Sequence, residues 1–138
     1  MSETLSAYFD HDADIGVIGR GATLEAAFEA AARATFDIMA KCSTIQRLQH
    51  VQFTFEESDP ELALATWLNR LLAEARRGGL VLGHFHLRRD GAQWAGEAWG
   101  EPWRSDMERG VEVKGATLTM LSVRQAHGAW EARCVVDV

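Results

Sequence analysis

The chain has 138 residues, of which 47% are hydrophobic and 25% charged, and its net charge at pH 7 is -6. This length suits a single domain spanning residues 1–138, and the composition excludes a disordered or fibrous chain. The acidic charge argues against a protein that binds nucleic acid stably by itself. No apolar stretch approaches the roughly 20 residues that cross a bilayer. Because a signal-peptide pattern is also missing, we expect a cytoplasmic protein without a membrane partner.

The first half of the chain predicts two strands and a helix. Residues 14–19 alternate weakly and predict a strand that ends at Gly19 and Gly21. Thr23 is a suitable N-cap for a helix that follows. The apolar stripe of that helix comprises Leu24, Phe28, Ala31, Thr35 and Ile38. Residues 51–56, VQFTFE, alternate apolar and polar side chains and predict a half-buried strand.

A second helix is predicted to begin at Asp59 and Pro60 and to end at Gly78 or Gly79. Its expected core residues are Leu64, Trp67, Leu68, Leu71, Leu72 and Ala75. Residues 80–100 predict a hairpin that turns at Asp90-Gly91. Two further strands are predicted at residues 114–123 and 129–138. The predicted fold is therefore α+β, with two amphipathic helices packed on an antiparallel-rich mixed β-sheet.

Acidic residues crowd the start of the first strand, in the segment DHDAD at residues 10–14. In an extended chain Asp12 and Asp14 share one face, and His11 lies on the other. Carboxylates held together raise one another's pKa unless a cation or hydrogen-bond donors offset the repulsion. The segment therefore indicates either a cation site or a solvated acidic turn.

The end of the chain offers a second group of oxygen atoms. Asp137 is followed by Val138 with its terminal carboxylate, and two adjacent carboxylates suit a hard cation such as Ca²⁺ or Mg²⁺. A frayed acidic tail is the alternative. Lys114, at the start of a predicted strand, is either a solvated edge charge or a group that stabilises carboxylates or contacts a partner's phosphate. His84 and His86 form an H-x-H pair without a third ligand, which favours an exposed strand face over a zinc site.

Several segments together resemble the archease family. The segment FDHDADIGV resembles the family's F-[ED]-H-T-A-D-x-G-[IV] opening, with Asp12 in the place of the usual Thr. The likeness continues, in the family's order, through TLEAAFEAAARATFDIM, WLNRLL, WGEPW, VEVKGATLT and the final VVDV. It covers residue 8 to the end of the chain.

The resemblance implies a non-catalytic accessory protein of an RtcB-type RNA ligase. Archeases promote the GTP-dependent guanylylation of the ligase in tRNA splicing and RNA repair, and they bind a divalent cation. By resemblance, the metal ligands fall on Asp14, Asp137 and Val138, and the functional lysine falls on Lys114. Asp12 and His11 are expected beside them as partner or activation residues. Ca²⁺ is the expected ion, with Mg²⁺, Mn²⁺ or Zn²⁺ as alternatives.

Two other functions are compatible with the sequence. One is a chaperone-like modulator of the oligomeric state of an RNA-modifying enzyme, such as a tRNA methyltransferase. The other is a metal-dependent hydrolase, which is disfavoured because no general base or nucleophile pairs recognisably with the carboxylates.

Overall fold

The computed structural model describes residues 14–138. Helix α1 spans Leu24–Asp37. Thr23 caps it as predicted, because the Thr23 hydroxyl accepts a hydrogen bond from the Ala26 N–H at 3.0 Å. The helix buries one face, formed by Leu24, Ala27, Phe28, Ala31, Ala32, Thr35 and Phe36.

Helix α2 spans Pro60–Gly78. The Asp59 carboxylate accepts a hydrogen bond from the Glu61 N–H at 2.9 Å, which satisfies one of the free donors of the first turn. Gly79 ends the helix in the left-handed conformation, with φ of 65°. The predicted core face is confirmed, with Leu64, Trp67, Leu68, Leu71, Leu72 and Ala75 all buried. The Trp67 indole N–H donates to the Phe28 carbonyl at 2.9 Å and so ties α2 to α1.

The strands form two antiparallel sheets. They are β1 (Asp14–Gly21), β2 (Gln49–Glu56), β3 (Leu80–Asp90), β4 (Gln93–Pro102), β5 (Gly115–Ala116), β6 (Ser122–Ala126) and β7 (Ala129–Asp137). In one sheet β7 is central, with β1 on one edge and both β5 and β6 on the other. In the second sheet β4 lies between β2 and β3. The α+β class is confirmed, although the strands of the described chain form two sheets with only antiparallel pairs rather than one mixed sheet.

The segment 114–123 is not the continuous strand that its sequence predicts. Ala116 pairs with Val136, and the chain returns to β7 only at Ser122, opposite Arg133. Thr117 still bonds to β7, because its N–H donates to the Val135 carbonyl at 2.9 Å, and residues 118–121 then loop outward. Leu118 and Met120 of this loop are 66% and 79% exposed, whereas Leu121 packs against the core. Because no buried face takes up Leu118 and Met120, their alternation with polar residues does not hold the segment in the sheet.

The hairpin between β3 and β4 is confirmed, but its turn lies one residue later than predicted. Asp90 pairs with Gln93, so the two turn residues are Gly91 and Ala92. Gly91 has a positive φ of 61°, whereas Asp90 and Ala92 do not have positive φ. This combination is typical of a type II′ turn, in which only the first turn residue needs glycine.

The two cysteines, Cys42 and Cys134, are buried free thiols. Burial raises the pKa of Cys42 to about 12 and the pKa of Cys134 to about 11. Both thiols therefore stay protonated at neutral pH and serve as packing residues. Among residues 14–138, no helix has the length and apolar character needed to span a membrane.

Candidate functional site

The candidate site lies where β1 begins and β7 ends. Asp14 and Asp137 are directly opposite each other in the antiparallel register of these strands. Their side chains therefore stand on the same face of the sheet, and the Cβ atoms of such cross-strand pairs are about 4.5–5.5 Å apart. The fold thus brings together one carboxylate from each of the two distant acidic segments.

One oxygen of this carboxylate pair lacks a partner. Asp137 Oδ1 is buried and, among the atoms of the described residues, makes no hydrogen bond. A buried polar atom without a partner costs about 1–3 kcal/mol, and more when it carries charge. Opposed carboxylates add mutual repulsion, which a bound cation would offset. The arrangement therefore suits a ligand that donates positive charge to Asp137.

The last residues of the chain are held in place. Strand β7 continues through Asp137, and the side chain of Val138 packs against the hydrophobic core. This packing is contrary to the frayed tail considered from the sequence. The main-chain oxygen of Val138 consequently follows Asp137 at a fixed end of the sheet.

Lys114 approaches the same end of β7 from the opposite edge. Its backbone N–H donates to the Asp137 carbonyl at 2.7 Å, and the next residue, Gly115, pairs with Asp137 in the sheet. The Lys114 side chain is exposed. An ammonium group and two carboxylates therefore share one end of the sheet.

Two side chains of α2 hold the Lys114 segment, and sequence analysis missed both of these roles. The Asn69 amide donates to the Ala116 carbonyl at 3.1 Å and accepts from the Ala116 N–H at 2.9 Å, as a neighbouring strand would. The Arg76 guanidinium donates to the Lys114 carbonyl at 2.6 Å. The polar amide of Asn69 inside the segment WLNRLL was the available signal for the first role. The position of Arg76 in the last turn of α2 is explained equally well by the helix dipole, so it gave no signal for the second role.

The donors at this site suit a hard divalent cation. Asp14 and Asp137 offer carboxylate oxygens and Val138 offers main-chain oxygen, and Ca²⁺ and Mg²⁺ prefer oxygen ligands of these kinds. Within residues 14–138, no cluster of three or more His, Cys, Asp or Glu side chains is arranged to hold a metal. Water, main-chain oxygen or a partner's groups would therefore have to complete the coordination shell.

The other predicted site residues lie elsewhere. His11 and Asp12 are outside the described residues. His84 Nε2 lies 2.8 Å from the Ile45 carbonyl oxygen, and His86 Nδ1 lies 3.3 Å from the Glu29 carboxylate. The two histidines therefore contact different partners, in agreement with the preference for a strand face over a zinc site.

Two concave regions lie away from the carboxylate pair. A cavity of about 300 Å³ beside the end of α2 is lined mainly by apolar residues such as Phe36, Leu72 and Val113. A wider cleft of about 870 Å³ surrounds the short 3₁₀ turn Cys42–Thr44. Neither has Asp14 or Asp137 among its lining residues.

Comparisons with known proteins agree over nearly the whole chain. The model of the archease protein family matches residues 7–138. Protein archease of Sulfolobus acidocaldarius is 36% identical over 134 residues, covering 95% of this chain and 96% of the relative. Protein archease of Pyrococcus furiosus is 35% identical over 137 residues, with the same coverage of 95% and 96%.

Two solved structures share the fold. The solution structure of Methanobacterium thermoautotrophicum protein 1598 has a TM-score of 0.82 and 30% identity, covering 94% of this chain and 96% of that one. The crystal structure of a Thermotoga maritima protein, described as an archease and possible chaperone, has a TM-score of 0.68. It is 18% identical and covers 93% of each chain, so it bears on the fold alone.

Proposed function

The chain belongs to the archease family, and we propose that it is a non-catalytic activator of an RtcB-type RNA ligase. In this role it promotes the GTP-dependent guanylylation of the ligase and supports repeated turnover in tRNA splicing and RNA repair. The observation that carries the proposal is the in-register pairing of Asp14 with Asp137 at one end of the sheet. This geometry can present carboxylates, or a cation that they hold, to the active site of another protein.

In the proposed site, Asp14, Asp137 and the main-chain carboxylate of Val138 hold a divalent cation, with Ca²⁺ as the expected ion. When bound, such an ion supplies positive charge that phosphate oxygens can approach. Asp137 is the central ligand, because its Oδ1 is buried without a hydrogen-bond partner in the described chain. Lys114 contacts a phosphate of the ligase-bound nucleotide. His11 and Asp12 contact the ligase beside this site.

The charge of the chain supports docking onto an RNA-binding partner. Its net charge of -6 is opposite in sign to the basic surface that such an enzyme needs. Complementary charge of this kind speeds encounter between two proteins, and its effect weakens as salt is added. The proposed contact with the ligase is therefore salt-sensitive.

A guanylylation assay with purified ligase, GTP and metal tests the proposal. We expect the wild-type protein to stimulate formation of the ligase–GMP adduct, and Asp14→Asn to lower this stimulation at least about tenfold. Asp90→Asn is the matched control, since it makes the same change at the exposed hairpin. Absence of stimulation by the wild type would refute the activator role. Full stimulation by Asp14→Asn would refute the role of the carboxylate pair but not the activator role.

Calorimetric titration with Ca²⁺ gives a readout that does not depend on the ligase. Asp14→Asn should weaken cation binding, whereas Asp90→Asn should leave it unchanged. Adding one glycine after Val138 converts its carboxylate to an amide and should also weaken binding. Unchanged affinity in the extended protein would remove Val138 from the proposed ligands.

The chaperone-like alternative has one structural observation in its favour. Leu118, Met120 and Leu62 are large apolar side chains that are 66%, 79% and 40% exposed, and Leu118 and Leu62 line the same shallow depression beside α2. Exposed apolar groups of this kind can contact another protein. A change in the oligomeric state of an RNA-modifying enzyme, without any effect on ligase guanylylation, would favour this function.

A further inference from the structure

Three arginines converge on one carboxylate at the opposite end of the same sheet face. Arg20 of β1 and Arg124 of β6 pair with Glu131 of β7 from its two sides, and Arg133 follows two residues along β7. The Nε atoms of Arg20, Arg124 and Arg133 lie 3.1, 3.4 and 2.9 Å from the Glu131 carboxylate oxygens. We call Arg20, Arg124 and Arg133, together with Glu131, the arginine cluster.

The arginine cluster carries more positive charge than Glu131 can neutralise. Three guanidinium groups and one carboxylate leave a local charge of +2, on a chain whose total charge is -6. The hydrogen bond from Arg133, with help from Arg20, holds the pKa of Glu131 below its ordinary value, so Glu131 stays ionised at neutral pH. Since the guanidinium groups meet at two oxygen atoms, they lie close enough to repel one another. An incoming anion would relieve this repulsion.

The guanidinium groups are oriented but remain accessible. Arg124 and Arg133 direct Nε–H toward Glu131, which leaves their terminal nitrogens for a ligand that arrives from solvent. The side chains of Arg20, Arg124 and Arg133 are 64%, 62% and 45% exposed, whereas Glu131 is only 11% exposed. Planar guanidinium forks of this kind match the oxygens of phosphate groups.

We infer that the arginine cluster binds phosphate groups of a single-stranded polynucleotide backbone. Its arginines lie on three adjacent strands, which are about 4.8 Å apart, so the donors spread across a flat surface. A mononucleotide usually needs a concave site for its base, and the two concave regions described above do not include these arginines. The phosphates of a polynucleotide backbone, in contrast, need only hydrogen-bond donors arranged along the surface.

The inference goes beyond the proposed function, because it requires neither the ligase nor a cation. Arg20 and Asp14 are six residues apart along β1, or about 20 Å at 3.3 Å per residue. The arginine cluster and the carboxylate pair therefore occupy opposite ends of one face. Three phosphate contacts predict weak binding that is highly sensitive to salt, in keeping with an auxiliary contact rather than a stable complex with nucleic acid.

The test is an NMR titration of the full chain with a ten-nucleotide single-stranded RNA at several salt concentrations. The arginine Nε–Hε signals of the cluster should shift and saturate. The double variant Arg124→Gln/Arg133→Gln should bind at least about tenfold more weakly at low salt. Each phosphate contact makes the slope of log affinity against log salt steeper by about 0.7 for single strands. The magnitude of this slope should therefore decrease by about 1.4 in the double variant.

A matched control separates local contacts from total charge. Arg77→Gln/Arg88→Gln removes the same charge from exposed positions on α2 and β3 and should leave the salt slope unchanged. Equal weakening by both double variants would overturn the inference, as would the absence of a saturable shift in the wild type. Unaltered binding by Arg124→Gln/Arg133→Gln would show that the cluster is only an ion-pair network.

The source of the phosphate is tested by titrating GTP and inorganic phosphate in parallel. Weaker binding of both than of the RNA, at equal phosphate concentration, supports recognition of a backbone. Binding of GTP as tight as that of the RNA would overturn it.

Discussion

Two Gly→Ala substitutions in β1 should change stability in opposite directions. A Cβ atom at Gly19 would lie 2.2 Å from the Ala27 carbonyl oxygen and 2.3 Å from the Ala31 nitrogen, both in the backbone of α1. Among the residues that the structure describes, a Cβ atom at Gly16 would have no neighbour within 4 Å. The same chemical change therefore forces a helix away from the sheet at one position and meets open space at the other.

The expected magnitudes follow from these distances. Overpacking costs typically 1–3 kcal/mol, occasionally more, and a clash with backbone atoms cannot be relieved by a side-chain rotation. Gly19→Ala should therefore lower the free energy of unfolding by about 3–5 kcal/mol. Gly16→Ala should raise it by about 0.4–1 kcal/mol, because alanine restricts the unfolded chain. With an unfolding entropy of about 2.1 cal/mol/K per residue, Gly19→Ala should lower the Tm of this 138-residue chain by roughly 10–17 °C.

Urea unfolding and thermal melting, both followed by circular dichroism, measure these effects. A loss of less than about 1 kcal/mol for Gly19→Ala would contradict the close contact between β1 and α1. A clear loss for Gly16→Ala would contradict an open outer face of β1. Failure of Gly19→Ala to yield any folded protein would agree with the expected direction, and Gly16→Ala would still give its own measurable result.

Two further predictions concern polar contacts. Asn69→Ala removes both hydrogen bonds to Ala116 and should lower the free energy of unfolding by about 1–2 kcal/mol. Hydrogen exchange at the Ala116 amide should become faster, and unchanged protection of that amide would refute the contact. The pKa of Glu131 is lowered in the folded protein from an ordinary value of 4.5, chiefly by Arg133, so its stabilising effect is present above that pH and is lost as the pH falls through the folded pKa. The difference in the free energy of unfolding between wild type and Glu131→Gln should therefore shrink on acidification. Urea unfolding at several pH values measures this difference, and a difference that does not change with pH would refute the prediction.

The helices and the buried face of β7 could be predicted because their signals are local. Asp59, Pro60 and Gly79 bound α2 through the chemistry of the backbone at its two ends. In β7, Ala132, Cys134 and Val136 occupy every second position, and all three are buried. Features of this kind depend on a few neighbouring residues, which a single sequence displays directly.

Pairings between distant residues leave no such local signal. Asn69 and Ala116 are 47 positions apart, and nothing in either segment specifies that a helix amide will complete a two-residue strand. The opposition of Asp14 and Asp137 likewise depends on the register of β1 with β7. Residues 10–14 and 137–138 each indicated only carboxylates at a strand end, and the family resemblance was needed to connect them. The outward loop at residues 118–121 was missed because its alternation is that of a strand.

The central place of β7 also bears on how the protein is made. Strands β1, β5 and β6 all pair with this strand, which the ribosome synthesises after each of them. Until residues 129–137 leave the ribosome, β1 has no neighbour in its sheet and its backbone groups remain hydrated. The three-stranded sheet of β2, β4 and β3 is complete in the nascent chain once residue 102 has emerged. The surface that carries both the carboxylate pair and the arginine cluster can therefore form only after β7 has been synthesised, later than the three-stranded sheet can form.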